Sequence, residues 1–256
     1  MSKLFDLSYI IITNLYNSIF TFFEIFTKKK TNSVNQNNEF LKDGFCKIKI
    51  QEPLVNYFEF EKIQQINKYM DKFILSDEHI SKIIKYLFLD LKLSKTISDL
   101  TGFNYSIDYF IAYRTHPISH EDINKGWYAN HWHKDKPFTK NTLKIIIPLK
   151  NIENINHGGM EILTIENSKI FQKKTNVESY KMIANVDEVL LFNPNLCLHK
   201  AGEIKGNYIR EQIMFQLNPN IKWCYNKNIK KKQFKIEPKF PFFTYFFDKK
   251  IFLIVN

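Results

Sequence analysis

Residues 131–135 have the sequence His-Trp-His-Lys-Asp, and His199 and Arg210 follow them in the last third of the chain. Residues two apart on a β-strand point to the same face, so His133 and Asp135 can hold one metal ion together. A third ligand from a distant strand, His199, then completes two imidazoles and one carboxylate. This is the protein ligand set of a non-haem Fe(II) facial triad, which leaves the opposite face of the metal open.

Arg210 begins an alternating run, residues 210–217, eleven positions after His199. The alternation predicts a strand with Arg210, Gln212, Met214 and Gln216 on one face and Ile213, Phe215 and Leu217 on the other. A guanidinium holds a carboxylate through two parallel hydrogen bonds. An iron triad with an inward-facing arginine is what 2-oxoglutarate requires, since its oxo-acid end chelates the metal and its far carboxylate needs a cation.

Five segments, in order and with matching spacing, resemble the phytanoyl-CoA dioxygenase-like branch of the Fe(II)/2-oxoglutarate-dependent oxygenases. They are Asp43-Gly44-Phe45, the W-H-x-D motif at 132–135, and the apolar strands at 143–149, 158–163 and 188–193. The resemblance spans roughly residues 40–220. It implies a mainly β fold, a double-stranded β-helix (jelly-roll or cupin-like) core with supporting N-terminal helices.

The resemblance also implies the chemistry. His133, Asp135 and His199 would be the catalytic metal ligands for Fe(II), Arg210 would bind the co-substrate 2-oxoglutarate, and Lys144 and Tyr113 are further candidates to contact its carboxylates. The expected reaction is hydroxylation of an unidentified small or lipid/sugar-linked substrate, with succinate and CO₂ as co-products. Asp135 is retained, whereas halogenating relatives lose that carboxylate. A serine common in the family two residues after the distal histidine is Ala201 here.

Two alternatives remain open. His131, His133 and His199 could form a three-histidine zinc site in a cupin-like enzyme without 2-oxoglutarate, but this leaves Arg210 without a role. The second alternative is a non-catalytic barrel that binds a ligand. Trp132 alternates away from the ligands and is expected in the wall of the core, and Cys197 is expected to be a small core residue.

Local patterns place the remaining elements. Strands are predicted near residues 45–50, 105–113, 143–149, 160–163, 189–192 and 209–217, and helices near 58–73 and 77–93. Early helices followed by many short strands indicate a jelly roll with helical supports. We assign residues 1–30 to an amphipathic or membrane-interface helix, 31–40 to a linker, 41–220 to the oxygenase domain and 221–256 to a basic, aromatic extension.

Composition bears on partners. The chain has 256 residues, a net charge of +11, 24 Phe and three cysteines without paired spacing. The cysteines favour a reducing compartment, hence a cytoplasmic and possibly membrane-associated protein. Residues 4–26 could lie in a membrane interface, pack on protein or span the bilayer, and residues 222–247 combine lysines with aromatic residues. We therefore expect a small-molecule substrate, anionic or lipid-linked, peripheral membrane contact through both segments and no nucleic acid.

Overall fold

The computed structural model describes residues 38–122, 128–135, 139–171, 177–226 and 251–253, together with Ile19 and Phe22. Twelve strands occur within these residues, and two sheets contain them. The strands are β1 Phe45–Lys49, β2 Lys62–Asn67, β3 Met70–Ile74, β4 Asn104–Thr115, β5 Leu143–Pro148, β6 Glu161–Ile162, β7 Tyr180–Lys181, β8 Glu188–Phe192, β9 His199–Lys200, β10 Arg210–Asn220, β11 Cys224–Asn226 and β12 Ile251–Leu253.

The large sheet has the order β1-β8-β5-β10-β4-β11-β12, and β3 joins the same edge of β4 with β2 beyond it. All of these pairings are antiparallel except the one between β11 and β4. The small sheet has the order β7-β6-β9 and is extended by a bridge between His133 and His199. Two antiparallel sheets built from strands distant in sequence form the jelly-roll core, and the expected mainly β fold is confirmed.

Alternate residues along the strands of the large sheet pack into two different apolar clusters, one on each face of the sheet. On β10, Ile213, Phe215 and Leu217 belong to an apolar cluster that includes the buried faces of the helices. The other face, which carries Ile146, Leu190 and Phe192, packs toward residues of the small sheet such as Ile162. The barrel interior therefore lies between the two sheets, and Arg210, Gln212, Met214 and Gln216 share this inner face, as the alternation predicted.

Three of the four α-helices in the described residues contribute buried residues to the cluster on the outer face of the large sheet. The four α-helices of the described residues are α1 Glu39–Asp43, α2 Asp77–Lys85, α3 Leu93–Thr101 and α4 Ile165–Ile170, and a π-helical turn, Tyr86–Asp90, continues α2. Helix α2 begins where the Ser76 side chain accepts a hydrogen bond from the backbone of His79, a normal N-cap. Its Ile80, Ile83 and Ile84 are buried at helical spacing. This matches the helix predicted near 77–93, whereas α3 was not predicted.

The helix predicted over residues 58–73 is wrong, because this segment forms the hairpin of β2 and β3. Its apolar residues recur every three or four positions, which resembles a helix. The backbone N–H of Tyr69 donates to the Asn67 side chain at 2.8 Å, and this local bond ends β2 in a turn. β3 then pairs with β4, with Lys72 opposite Tyr113. Long-range pairing of strands therefore overrides the local helical spacing.

The sheet continues past residue 220, where the C-terminal extension was predicted to begin. Trp223 is buried against Phe88 and Tyr105 and donates to Ser98 at 2.9 Å, and β11 and β12 pair with each other. The helix predicted over residues 4–26 lies outside the described residues apart from Ile19 and Phe22, and so does most of 222–247. Among the helices that are described, none combines the length and apolar character needed to cross a membrane.

Candidate metal and co-substrate site

The two histidines of the predicted triad are brought together by backbone pairing. The N–H of His133 donates to the His199 carbonyl at 3.1 Å, and the N–H of His199 donates back at 3.0 Å. Their ring centroids are 4.3 Å apart. The N–H of Asp135 donates to the Pro194 carbonyl at 2.9 Å, which fixes the third residue beside them. Within residues 131–135 only His133 forms a β-bridge. His133 and Asp135 are therefore brought together without the regular strand that the sequence predicted.

Both imidazoles are oriented by carbonyl oxygens. Nδ1 of His133 lies 2.7 Å from the His131 carbonyl, and Nδ1 of His199 lies 3.1 Å from the Cys197 carbonyl. An Nδ1–H that donates to a carbonyl leaves Nε2 with a free lone pair, which is the arrangement that a metal-binding histidine needs. In both cases the carbonyl belongs to the residue two positions before the histidine, so the local backbone orients each imidazole.

The donor atoms converge on one point. Oδ1 of Asp135 lies 3.7 Å from Nε2 of His133 and 3.8 Å from Nε2 of His199. One ligand atom from each of the three residues falls within 4.8 Å of the others. Adjacent ligands of an octahedral ion with bonds of about 2.1 Å are about 3 Å apart, so side-chain movements below 1 Å would close the site. The three residues therefore fit a divalent ion.

His199 is suited to remain neutral. Burial lowers its pKa to about 4, and the nearby Asp135 carboxylate only partly offsets this effect. The edge of its ring faces Phe192, with ring centroids 5.1 Å apart. A histidine must be unprotonated to bind a metal, so folding prepares this residue for coordination at neutral pH.

Lys144 lies against the triad. Its ammonium group contacts Oδ2 of Asp135, whereas Oδ1 of the same carboxylate faces the two histidines. The predicted role of Lys144 was contact with the carboxylates of 2-oxoglutarate. In the structure its nearest charged partner is a metal-ligand candidate, and the contact separates the two oxygens of Asp135 into one for the metal and one for the lysine.

Arg210 is buried at the start of β10, with 4% of its surface exposed. Its Nη2 donates to Thr115 at 3.5 Å, and its Nε has no hydrogen-bond partner among the described residues. Buried polar groups are nearly always hydrogen-bonded in proteins, and an orphaned guanidinium donor indicates that an acceptor is missing. A ligand carboxylate would supply that acceptor.

Two neighbours complete a polar group around Arg210. The Gln212 amide donates to the Tyr113 hydroxyl, and burial raises the pKa of Tyr113, so that its phenol stays protonated. On the other side of β4, Lys72 lies directly opposite Tyr113, and only 4% of its surface is exposed. Directly opposed residues of paired strands share a face, so Lys72 adds a second cation to this side of the barrel. Sequence reasoning missed it because the segment was predicted to be a helix, and its sequence Met-Asp-Lys-Phe-Ile lacks the apolar–polar alternation that would indicate a strand.

The residues weighed against the triad occupy other places. His131 is exposed and lies outside the metal-ligand cluster, to which it contributes only its carbonyl oxygen. The Trp132 ring packs against Phe171 and under the Lys200 ammonium. Burial raises the pKa of the Cys197 thiol to about 12, which makes it an inert core residue. The backbone N–H of Ala201 donates to the Ala129 carbonyl at 2.6 Å.

Comparison of the sequence with protein-family models and with curated proteins finds no match. Comparison of the structure with solved structures finds HygX from Streptomyces hygroscopicus with nickel and 2-oxoglutarate bound. The TM-score is 0.51 at 13% sequence identity, over 75% of this chain and 89% of HygX. The chain has the HygX fold. A second HygX structure, with hygromycin B also bound, gives a TM-score of 0.51 at 14% identity with the same coverage.

The α-ketoglutarate-dependent epimerase SnoN from nogalamycin biosynthesis is another structural neighbour, with a TM-score of 0.49 at 11% identity over 70% of this chain and 79% of SnoN. The likeness to HygX confirms the jelly-roll fold expected from the resemblance to phytanoyl-CoA dioxygenase-like enzymes.

Proposed function

We propose that this protein is an Fe(II)- and 2-oxoglutarate-dependent oxygenase that hydroxylates a small organic molecule. The observation that carries the proposal is the buried, partly unpartnered Arg210 on the inner face of the same barrel that holds the His133, Asp135 and His199 cluster. A metal site alone would explain the triad, and an ion pair would explain a buried arginine. Only a ligand with a metal-chelating end and a distant carboxylate accounts for both.

The side chains of the barrel would divide the work. His133, Asp135 and His199 would hold the metal, and Arg210, with Tyr113 and Lys72 beside it, would bind the distal carboxylate of 2-oxoglutarate. Bound iron and 2-oxoglutarate supply the oxidising chemistry, in which decarboxylation yields succinate and CO₂. Lys144 would keep one oxygen of Asp135 turned toward the metal. The apolar residues between the two polar groups would exclude water.

HygX has been solved with nickel, 2-oxoglutarate and hygromycin B bound, which supports a small-molecule substrate for a barrel of this fold. Hydroxylation is proposed because the carboxylate ligand, Asp135, is present. The predicted membrane contact through residues 4–26 and 222–247 remains a proposal that truncation of residues 1–30, followed by a liposome sedimentation assay, would test.

The decisive experiment is anaerobic titration of the protein with Fe(II) and then with 2-oxoglutarate, monitored by the visible metal-to-ligand charge-transfer band. We expect the band in the wild-type protein and its loss in His199→Ala. Arg210→Met should still bind metal but should require far more 2-oxoglutarate to produce the band.

Two results would contradict the proposal in different ways. Bound metal without the band would indicate a metal-binding enzyme that does not use 2-oxoglutarate. Failure to bind any metal would indicate a barrel with a binding role.

A further inference from the structure

The inner face of the large sheet carries two polar levels separated by an apolar one. The strand register aligns the side chains of β4, β5, β8 and β10 in successive levels. The first polar level contains Gln212, Tyr113 and Lys72, beside Arg210. The apolar level contains Met214, Ile111, Ile146 and Leu190. The second polar level contains Gln216, Tyr109 and Lys144, next to Phe192.

The second polar level lies beside the metal-ligand candidates. Lys144 contacts Asp135, and Phe192, its cross-strand neighbour, contacts the ring of His199. The first polar level lies two residues beyond the apolar level along each strand, on the side away from the second polar level. With about 3.3 Å per residue, roughly 13 Å of backbone separates the two polar levels. A carboxylate bound at Arg210 would therefore leave Gln216 and Tyr109 of the second level without a role.

Gln216 and Tyr109 are available to a ligand. They lie directly opposite each other on β10 and β4, and both are only partly buried. Neither the Gln216 amide nor the Tyr109 hydroxyl forms a hydrogen bond with any of the described residues. Burial raises the pKa of Tyr109 to about 12, so this hydroxyl is a protonated donor at neutral pH. The pair offers an amide and a phenol to the barrel interior.

The polar residues one step further along the strands differ, because their hydrogen bonds are already made. Thr142 donates to Asn218 at 2.7 Å, Asn218 donates to Asp108 at 2.7 Å, and Ser106 donates to Asp108 at 2.8 Å. The register between β4 and β10 shifts between Gln216 and Leu217, so a β-bulge lies at this point. Bulges often redirect side chains next to active sites. A hydrogen-bonded network therefore lies next to Gln216 and Tyr109, whose own side chains form no hydrogen bond with the described residues.

Charge at this level favours a neutral ligand. The only charged member is Lys144, and its ammonium is already matched by the Asp135 carboxylate. Gln216 offers both a donor and an acceptor, and Tyr109 offers a hydroxyl. Hydroxyl groups, which donate and accept, complement such a pair better than a carboxylate or an alkyl chain does.

We propose that Gln216, Tyr109 and Lys144 form the substrate subsite, and that the substrate presents neutral hydroxyl groups to it, as a polyhydroxylated small molecule would. This rests on the proposed function, since it concerns the second ligand of the same barrel. It replaces the anionic or lipid-linked substrate expected from the net charge of the chain.

The test uses the full-length protein loaded with Fe(II) and 2-oxoglutarate and measures two quantities. One is 2-oxoglutarate affinity from the charge-transfer band under nitrogen. The other is succinate release in air with myo-inositol, methyl β-D-glucopyranoside and sucrose, against dodecanoate and dodecanoyl-CoA. The variants are Gln216→Leu and Tyr109→Phe. Gln65→Leu, at an exposed glutamine on β2 that lies opposite Asp71 and not opposite Lys72, is the matched control.

We expect at least one hydroxylated probe to stimulate succinate release, and we expect both variants to raise its KM about tenfold, as loss of a hydrogen bond to a ligand does. The affinity for 2-oxoglutarate should stay within about twofold of wild type, and Gln65→Leu should behave as wild type.

Stimulation by the acyl probes alone, or by none of the probes, overturns the substrate class. A loss of 2-oxoglutarate affinity in Gln216→Leu and Tyr109→Phe as large as that in Arg210→Met overturns the subsite, because the level would then belong to the co-substrate. If wild type gives no charge-transfer band, the proposed function itself fails, which is a separate result.

Discussion

Lys144 and Asp135 form an ion pair inside the barrel, in which the ammonium contacts Oδ2 and leaves Oδ1 facing His133 and His199. Both side chains are largely buried, with 15% and 20% of their surfaces exposed. Lysine and a metal ion would thus share one carboxylate through different oxygens. Without a bound ion, Lys144 would supply the counter-charge of Asp135.

We expect Lys144→Met to destabilise the metal-free protein by about 1–2 kcal/mol, because Asp135 would lose its counter-charge in a largely buried position. Nickel should then raise the melting temperature of Lys144→Met more than that of wild type, since the ion replaces the missing positive charge. Differential scanning fluorimetry with and without Ni(II) measures both effects. Equal nickel-induced shifts of the melting temperature in the two proteins would show that the contact between Lys144 and Asp135 does not influence metal binding.

Arg210→Met should weaken 2-oxoglutarate binding by roughly 10- to 100-fold, the range expected for loss of hydrogen bonds to a charged group. The same substitution should not lower the melting temperature of the metal-free protein. A buried guanidinium with one long hydrogen bond carries a desolvation penalty that methionine avoids. Titration of the charge-transfer band and a thermal melt test the two statements. A large loss of stability would identify Arg210 as a structural ion-pair residue instead.

Lys72→Met should also weaken 2-oxoglutarate binding, by about tenfold, because Lys72 is a buried cation opposite Tyr113 on the inner face of β3. Lys62→Met, an exposed lysine on the neighbouring strand β2, is the matched control. Calorimetric titration of the nickel-loaded protein with 2-oxoglutarate distinguishes the two. Identical affinities in both variants would remove Lys72 from the site.

The stability of the metal-free protein should fall in acid through His199. Its pKa is about 4 in the folded protein because of burial, whereas an unfolded histidine titrates near 6.5. The unfolded chain therefore binds the proton more tightly than the folded one. Stability is unaffected by this group above about pH 6.5 and falls by up to about 1.4 kcal/mol per pH unit as pH decreases toward 4.

Urea unfolding at pH 7, 6, 5 and 4.5 measures this dependence, and His199→Gln removes the titrating group. We expect a shallower pH dependence in His199→Gln than in wild type. Parallel curves for the two proteins would mean that the histidine is not buried as the structure places it.

Much of the site follows from local sequence. The H-x-D spacing and the distal His199 predicted a cluster that the structure brings within 4.8 Å, and the alternation after Arg210 predicted the inner face of β10. Such patterns are informative because the side-chain direction in a strand is set by its period of two. No such short-range period tells which residues of two different strands will contact each other. Neither the partner of Lys144 nor the position of Lys72 could be derived, since both depend on the register between strands distant in the chain.

The amino-acid sequence by itself predicted six strands, β1, β4, β5, β6, β8 and β10, the inner face of β10 and the candidate metal ligands, because these depend on residue type and on short-range periodicity. Tertiary structure alone decided that residues 62–74 form a hairpin and that Lys72 lies opposite Tyr113. It also decided that Gln216 and Tyr109 face each other beside the triad. The hydrogen bonds that β3 forms with β4 outweigh the helical spacing of its apolar residues, and no local pattern encodes that competition.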